Sequence, residues 1–183
     1  LNLVLTARKP GPLAELAAEL RSDAKIEVKT ASIDVTGPDL LEQVERLTSG
    51  LDVGLLIYNA GSVVPDSFLD APLEDALRTM RLNPIGQVVL GHHFGRRLRD
   101  RGRGGIILVG SMAGCAGAGS TLVYGAAKAF TQRFAEGLWS TLSPCGVDVL
   151  ALVIGATRTP FMERAGLPLD HPQLSAADPD DIA

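Results

Sequence analysis

Short apolar runs alternate along this chain with longer stretches in which apolar residues recur every three or four positions. The runs are Leu3 to Leu5, Ile26 to Val28, Val53 to Ile57, Ile106 to Val109 and Val147 to Ile154; segments this short and continuously apolar predict buried β-strands. Helical spacing marks Leu13 to Leu20, Leu40 to Leu47, a long pattern from Leu73 to Leu98, and a stretch that opens near Val123 and ends at Leu142. Strand and helix in strict alternation predict an α/β fold, a parallel sheet whose right-handed crossovers place helices on both faces. No internal repeat, low-complexity tract or linker breaks residues 1–183, so a single domain is expected.

That arrangement singles out five polar or turn-forming residues. Arg8 follows the first apolar run, Asp34 the second, Asn59 the third, Ser111 the fourth and Gly155 the fifth. Ligands of an open parallel sheet bind in the crevice beyond the carboxyl ends of the strands. The pattern therefore predicts a site as well as a fold.

Within it, Ser111, Tyr124 and Lys128 form a chemically suggestive set. Four residues are about one helical turn, so Lys128 lies on the same helix face as Tyr124. A free tyrosine titrates near about 10 and is idle at neutral pH. A neighbouring cation favours the phenolate, and the expectation is that Lys128 lowers the Tyr124 pKa toward the range useful for general acid/base catalysis. Tyr-x-x-x-Lys alone is too common to carry the reading. Its context, an apolar strand closing on Ser111 and a helix opening at Tyr124, brings the hydroxyls together.

Composition narrows the partners. The 183 residues are 46% hydrophobic and 21% charged, ordinary for a folded domain, and the net charge of -4 argues against a nucleic-acid surface. Arg96, Arg97, Arg99, Arg101 and Arg103 read as a solvated helix end, where cations complement the dipole. Cys115 and Cys145 lack metal-ligand spacing and a disulfide framework, and read as buried or incidental thiols in a reducing cytoplasm. No apolar run reaches membrane-spanning length.

Asn59-Ala60-Gly61, Asn83, Ser111 and Tyr124-x-x-x-Lys128, in this order and spacing, resemble the classical short-chain dehydrogenase/reductase family over nearly the whole chain. The resemblance implies a Rossmann-like, doubly wound parallel sheet that transfers hydride between NAD(P) and a carbonyl or alcohol, commonly as a homodimer or homotetramer. It implies Tyr124 as the catalytic acid/base, Lys128 as its pKa modulator and ribose ligand, Ser111 as the hydroxyl orienting the substrate oxygen, and Asn83 as the fourth member, holding a relay water. Asn59, Ala60 and Gly61 would lie against the cofactor, Asp34 and Val35 against adenine, and Gly155 with Thr159 against the nicotinamide. Two departures stand out: Tyr58 replaces a usual asparagine, and Ile154 a usual proline.

Several readings stay open on the residues themselves. Asn83 precedes Pro84 inside a helical pattern, which predicts a kink that either frees carbonyls for a relay or is a merely tolerated break. Asn59-Ala60-Gly61 also suits an ordinary strand-ending turn. Thr6-Ala7-Arg8-Lys9 offers cations and no carboxylate, which favours NADP(H) over NAD because arginine grips a 2′-phosphate bidentately, or else it is an exposed basic turn. Pro160, Phe161, Met162, Leu167, Pro168 and Leu169 either cap a pocket for an apolar substrate or simply pack. Phe130, Phe134 and Leu138 make a stripe suited to a core face or to dimerisation. Gly114-x-x-Gly117-x-Gly119 mimics a phosphate loop but lies on the substrate side; the adjacent His92 and His93 point apart on a helix, His171 belongs to a loop, and no metal is expected.

The family also implies an opening strand and a Thr-Gly-x-x-x-Gly-x-Gly turn whose helix N-terminus holds the pyrophosphate. The sequence starts at the equivalent of a second strand and stops at Asp178-Pro179-Asp180-Asp181. The expectation is a partial domain lacking the first strand and the C-terminal helix or strand, with weak dinucleotide binding by residues 1–183 alone. A catalytically silent binding or assembly protein without the glycine loop is the alternative.

Overall fold

The computed structural model describes residues 2–62, 68–159, 162 and 176–182. Its contacts separate into two compact units, Leu1–Val53 and Gly54–Ala183. Both are built from parallel strands linked by helices, the Rossmann-like α/β fold that the hydrophobic pattern predicts.

In the first unit β1 (Leu3–Ala7) pairs in parallel with β2 (Val28–Ser32), Leu3 opposite Val28 and Ala7 opposite Ser32. Helix α1 (Pro10–Ala24) makes the crossover, with proline in its first turn and Leu13 and Ala17 buried. It ends where Lys25 takes a left-handed conformation. The second strand accordingly starts at Val28, not at Ile26 as the apolar run suggested: Ile26 and Glu27 belong to the descent from the helix cap, and polar Lys29, Thr30 and Ser32 complete the ladder. Helix α2 (Leu40–Leu47) has the predicted limits and buries Leu40 and Val44.

In the second unit β3 (Leu55–Tyr58), β4 (Gly104–Ser111) and β5 (Val147–Ile154) form a parallel sheet in that order. Tyr58 pairs with Leu108, and Ser111 with Ile154. The long helical pattern resolves into α3 (Leu73–Met80), a π-helical turn (Arg81–Ile85) and α4 (Gly86–Arg101). Helix α5 (Leu122–Leu142) returns to β5. Leu56 and Tyr58 of β3 and Ile106 and Leu108 of β4 point into a core with Leu90, Phe94, Leu98, Ala127 and Ala135 of α4 and α5. Burying each large aliphatic side chain is worth roughly 1.5–3 kcal/mol. Leu55, Ile57 and Leu150, half a period out of phase, are exposed on the other side of the sheet.

Phe130 and Phe134 stack at 5.3 Å, and Phe134 and Leu138 lie against Gly91 of α4. That stripe packs in part against α4, and Phe130, Phe134 and Leu138 remain half-buried. The arginine-rich segment does form a helix end: Arg99 pairs with Asp100, Arg97 sits over the Phe94 ring, and Gly102 caps α4.

Candidate active site

Ser111 is the last residue of β4, and its hydroxyl accepts a hydrogen bond from Ala113 N at 3.2 Å. The short turn that follows, Met112–Gly114, runs directly onto α5. A Cβ on Gly114 would stand 2.6 Å from the Lys128 carbonyl carbon, and one on Gly125 would stand 2.9 Å from Ala113 O. Two glycines thus let loop and helix backbones touch. The contact brings Tyr124, in the first turn of α5, beside Ser111, whose hydroxyl bears on the Tyr124 phenol.

Lys128 follows one turn later and is only 3% exposed. Its ammonium donates to Val109 O at 2.7 Å and lies 5.7 Å from the centre of the Tyr124 ring. The expected spatial grouping is therefore present, but the electrostatics are not those the spacing suggested. Burial raises the Tyr124 pKa, and the Ser111 hydroxyl, rather than Lys128, opposes that rise. Burial brings Lys128 itself down to about 8. Desolvation penalises both charged forms, and here it outweighs the attraction between phenolate and ammonium.

Asn83 occupies the π-helical turn, fully buried beside Pro84. Proline has no N–H to give to Met80 O, and the ladder widens: the Gly86 N–H reaches Arg81 O, five residues back. The Asn83 amide nitrogen donates to Thr79 O at 3.0 Å and Ser62 O at 3.3 Å. Its Oδ1 is buried without a partner among the described residues, as are both amide atoms of Gln87 one turn on. An ideal Cβ on Gly61 would lie 3.1 Å from that Oδ1 and 3.5 Å from Lys128 Nζ. The Asn59-Ala60-Gly61 turn thus runs between Asn83 and Lys128, and only glycine fits there comfortably.

Tyr58, noted in the sequence only as a departure, is 3% exposed and donates its hydroxyl to Leu82 O at 2.6 Å. Burial raises its pKa. Gly86 makes room for it, since a Cβ there would fall 2.0 Å from the Tyr58 hydroxyl. Nothing in the local sequence pattern announces this pair or the buried Gln87.

The remaining predicted residues sit at the strand ends. Arg8 is exposed just past β1, its backbone carbonyl accepting from Ser32 Oγ at 2.9 Å. Asp34, past β2, accepts from the backbone N–H and hydroxyl of Thr36 at 2.9 and 2.7 Å, and Val35 is half-buried within that turn. Asn59 is exposed and Ala60 half-buried after β3. Beyond β5, Gly155 O accepts from Thr157 Oγ1, Thr159 Oγ1 donates to Thr157 O, and Arg158 N donates to Ala177 O. Of the apolar segment thought to cap a pocket, Met162 is buried, while Pro160, Phe161, Leu167, Pro168 and Leu169 lie outside the described residues, as does His171.

A cavity of about 30 Å³ opens beside Tyr124, walled by Phe68, Ala71, Pro72, Thr79 and Val123. Its lining is chiefly apolar, with Asp75 at one side. Cys115 is exposed, not buried, and Cys145 half-buried. Among the described residues no three His, Cys, Asp or Glu side chains gather as metal ligands, and no helix is long and apolar enough to cross a membrane.

The chain is 31% identical over 162 residues to the 7beta-hydroxysteroid dehydrogenase of Collinsella aerofaciens, a match covering 88% of this chain and 62% of that protein. Among solved structures it resembles a short-chain dehydrogenase from Sphingobium yanoikuyae in complex with NADPH, with a TM-score of 0.92 and 34% identity over 99% of this chain and 71% of that one. It also resembles the bulky-bulky ketone specific alcohol dehydrogenase of Comamonas testosteroni, with a TM-score of 0.85 and 31% identity over 97% of this chain and 67% of that one. The chain thus spans less than two thirds of the hydroxysteroid dehydrogenase it matches. Residues 1–168 match the family model of short chain dehydrogenases, and the chain belongs to that family.

Proposed function

We propose that residues 1–183 form the greater part of one cofactor-binding domain that transfers hydride between NADP(H) and an apolar carbonyl or alcohol, with Tyr124 as acid/base. The observation that carries the reading is the Ser111 strand end packed against the first turns of α5, which sets the serine hydroxyl beside the Tyr124 phenol, with the Lys128 ammonium 5.7 Å from the centre of the same ring. Substrate oxygen placed between the Ser111 and Tyr124 hydroxyls receives two donors, and the proton passes from or to the Tyr124 oxygen. Charged Lys128 favours the phenolate; with its pKa brought down to about 8 by burial it is still mostly protonated at neutral pH, and a bound anion would hold that proton in place.

The residues present suit a dinucleotide. Asn83 Oδ1 and Lys128 Nζ flank the glycine turn as an acceptor and a donor, so sugar hydroxyls there meet both. Arg8 is exposed at a strand end, where a 2′-phosphate can pair with its guanidinium; Asp34 and Val35 would border adenine, Asn59 to Gly61 the ribose, and Gly155 and Thr159 the nicotinamide. When bound, the cofactor supplies or accepts the hydride. Orientation, water exclusion and proton movement fall to Ser111, Tyr124, Lys128 and Asn83. The NADPH-bound relative supports this cofactor and the bulky-ketone relative a carbonyl substrate; the apolar wall beside Tyr124 favours an apolar one. We place the protein in the cytoplasm as a homodimer or homotetramer.

The test is NADPH consumption by the full-length protein with a panel of bulky ketones, alongside calorimetric titration with NADPH. Turnover that Tyr124→Phe abolishes supports the reading. NADPH binding without turnover of any ketone or alcohol, unaltered by Tyr124→Phe, favours a silent binding protein instead.

A further inference from the structure

We infer that Tyr58 is a positioning residue of this site: its hydroxyl holds the Leu82 carbonyl in the π-helical turn and thereby sets Asn83 toward Lys128. The inference rests on the proposed role of Asn83. Three contacts converge on it. Pro84 cannot donate to Met80 O, and the Gly86 N–H goes to Arg81 O instead of Leu82 O, the carbonyl that an α-helical bond would use. Leu82 O is then taken by the Tyr58 hydroxyl at 2.6 Å. Gly86 leaves the notch that the phenol fills, and any side chain there would collide with it at 2.0 Å.

The geometry is more specific than packing requires. A phenylalanine would fill the same volume, whereas the hydroxyl supplies the one donor that a widened turn needs for its displaced carbonyl. Tyr58 is the last residue of β3 and Asn59 begins the turn that passes between Asn83 and Lys128. One side chain therefore ties the strand end carrying the glycine turn to the helix turn carrying Asn83. Sliding of either relative to the other would carry the Asn83 Oδ1 away from Gly61 and Lys128. Gly86 and Tyr58 are a dependent pair, because neither position tolerates the residue that would suit it alone.

The experiment compares Tyr58→Phe, Asn83→Ala and the double variant in NADPH-dependent ketone reduction, with hydrogen exchange of the segment 79–90 measured on the cofactor-free protein. The expected result is a loss of about tenfold in kcat for Tyr58→Phe with KM unchanged, no further loss when it is added to Asn83→Ala, and about tenfold faster exchange in the segment. Losses that multiply would show Tyr58 acting through overall stability and overturn the inference. So would full kcat and unchanged exchange in Tyr58→Phe while Asn83→Ala is impaired, which leaves the proposed function standing. Full kcat in Asn83→Ala removes the role of Asn83 from the proposed function and this inference with it. Should Tyr58→Phe lose activity by unfolding, Gly86→Ala, which displaces the phenol from the other side, must give the same pattern of kcat loss and faster exchange; normal kcat there overturns the inference.

Discussion

The Lys128 ammonium donates to the Val109 carbonyl at 2.7 Å, across the seam between α5 and β4. Val109 lies two residues before Ser111, so this bond fixes the strand end bearing the serine to the helix turn bearing Tyr124. The same burial that makes the bond strong lowers the Lys128 pKa to about 8, which couples the site to pH.

The sign of that coupling is set by the proton count. A lysine near 10.5 when unfolded and about 8 when folded makes the unfolded chain bind more protons between these values, so stability rises with pH through that window. At about 1.4 kcal/mol per pH unit the gain is bounded near 3 kcal/mol. Above about pH 10 the raised pKa of Tyr124 and Tyr58 acts the other way, since the unfolded phenols ionise first. Thermal unfolding of the wild type is expected to shift upward between pH 8 and 10 on the scale of these pKa values. Lys128→Met should abolish the shift, and an identical pH profile in the variant would refute the assignment.

Tyr124→Phe deletes one oxygen and keeps the ring. In the full-length protein we expect kcat to fall by roughly a hundredfold to ten-thousandfold while NADPH affinity by titration stays within about twofold. Lys128→Met should impair both quantities, because its nitrogen faces the glycine turn as well as the ring. Unimpaired kcat in Tyr124→Phe, with chemistry shown to be rate-limiting by single-turnover measurement, rules out Tyr124 as the acid/base.

Much of this arrangement was legible in the sequence because it follows from period and topology. Apolar runs marked or touched each strand among the described residues, and ligands of a parallel sheet meet its carboxyl ends, which is why Arg8, Asp34, Asn59, Ser111 and Gly155 were singled out where they stand. The β2 limits were not legible, since its ladder uses Lys29, Thr30 and Ser32, and backbone pairing is indifferent to their polarity. Spacing likewise placed Lys128 beside Tyr124 but could not weigh desolvation, a property of everything packed around them. Gly114 looked like part of a phosphate-loop mimic, whereas its purpose is backbone contact with α5. Tyr58 stood out only as a departure from the family pattern, and Gly86 and Gln87 not at all, because what they do depends on a widened helix turn 24 or more residues from β3.

Arg8 carries the proposed choice between the two cofactors. Only NADPH carries the 2′-phosphate, so Arg8→Ala is expected to weaken NADPH binding by about tenfold or more and NADH binding by no more than about twofold. Its exposure makes the substitution safe for folding. Equal losses for both cofactors in parallel titrations return Arg8 to an ordinary surface role and leave NADP selection without a residue.

Gly114 carries the last prediction. Its Cα faces the backbone of Lys128 and Ala129 so closely that an added Cβ would meet Lys128 C at 2.6 Å and Ala129 N at 2.7 Å. Backbone atoms of a central helix turn cannot rotate away as a side chain can, so Gly114→Ala must push the Met112–Gly114 turn off α5. Strain of this kind costs on the order of 1–3 kcal/mol. Because Ser111 begins the displaced turn, the damage should reach function beyond the stability loss: kcat falls as Ser111 moves off Tyr124, while Gly117→Ala, whose Cβ meets nothing within 4 Å, changes neither stability nor kcat. Paired melting curves and kcat values decide the matter. A Gly114→Ala protein with the melting temperature and kcat of its Gly117→Ala counterpart would show that the loop does not rest on the helix as described.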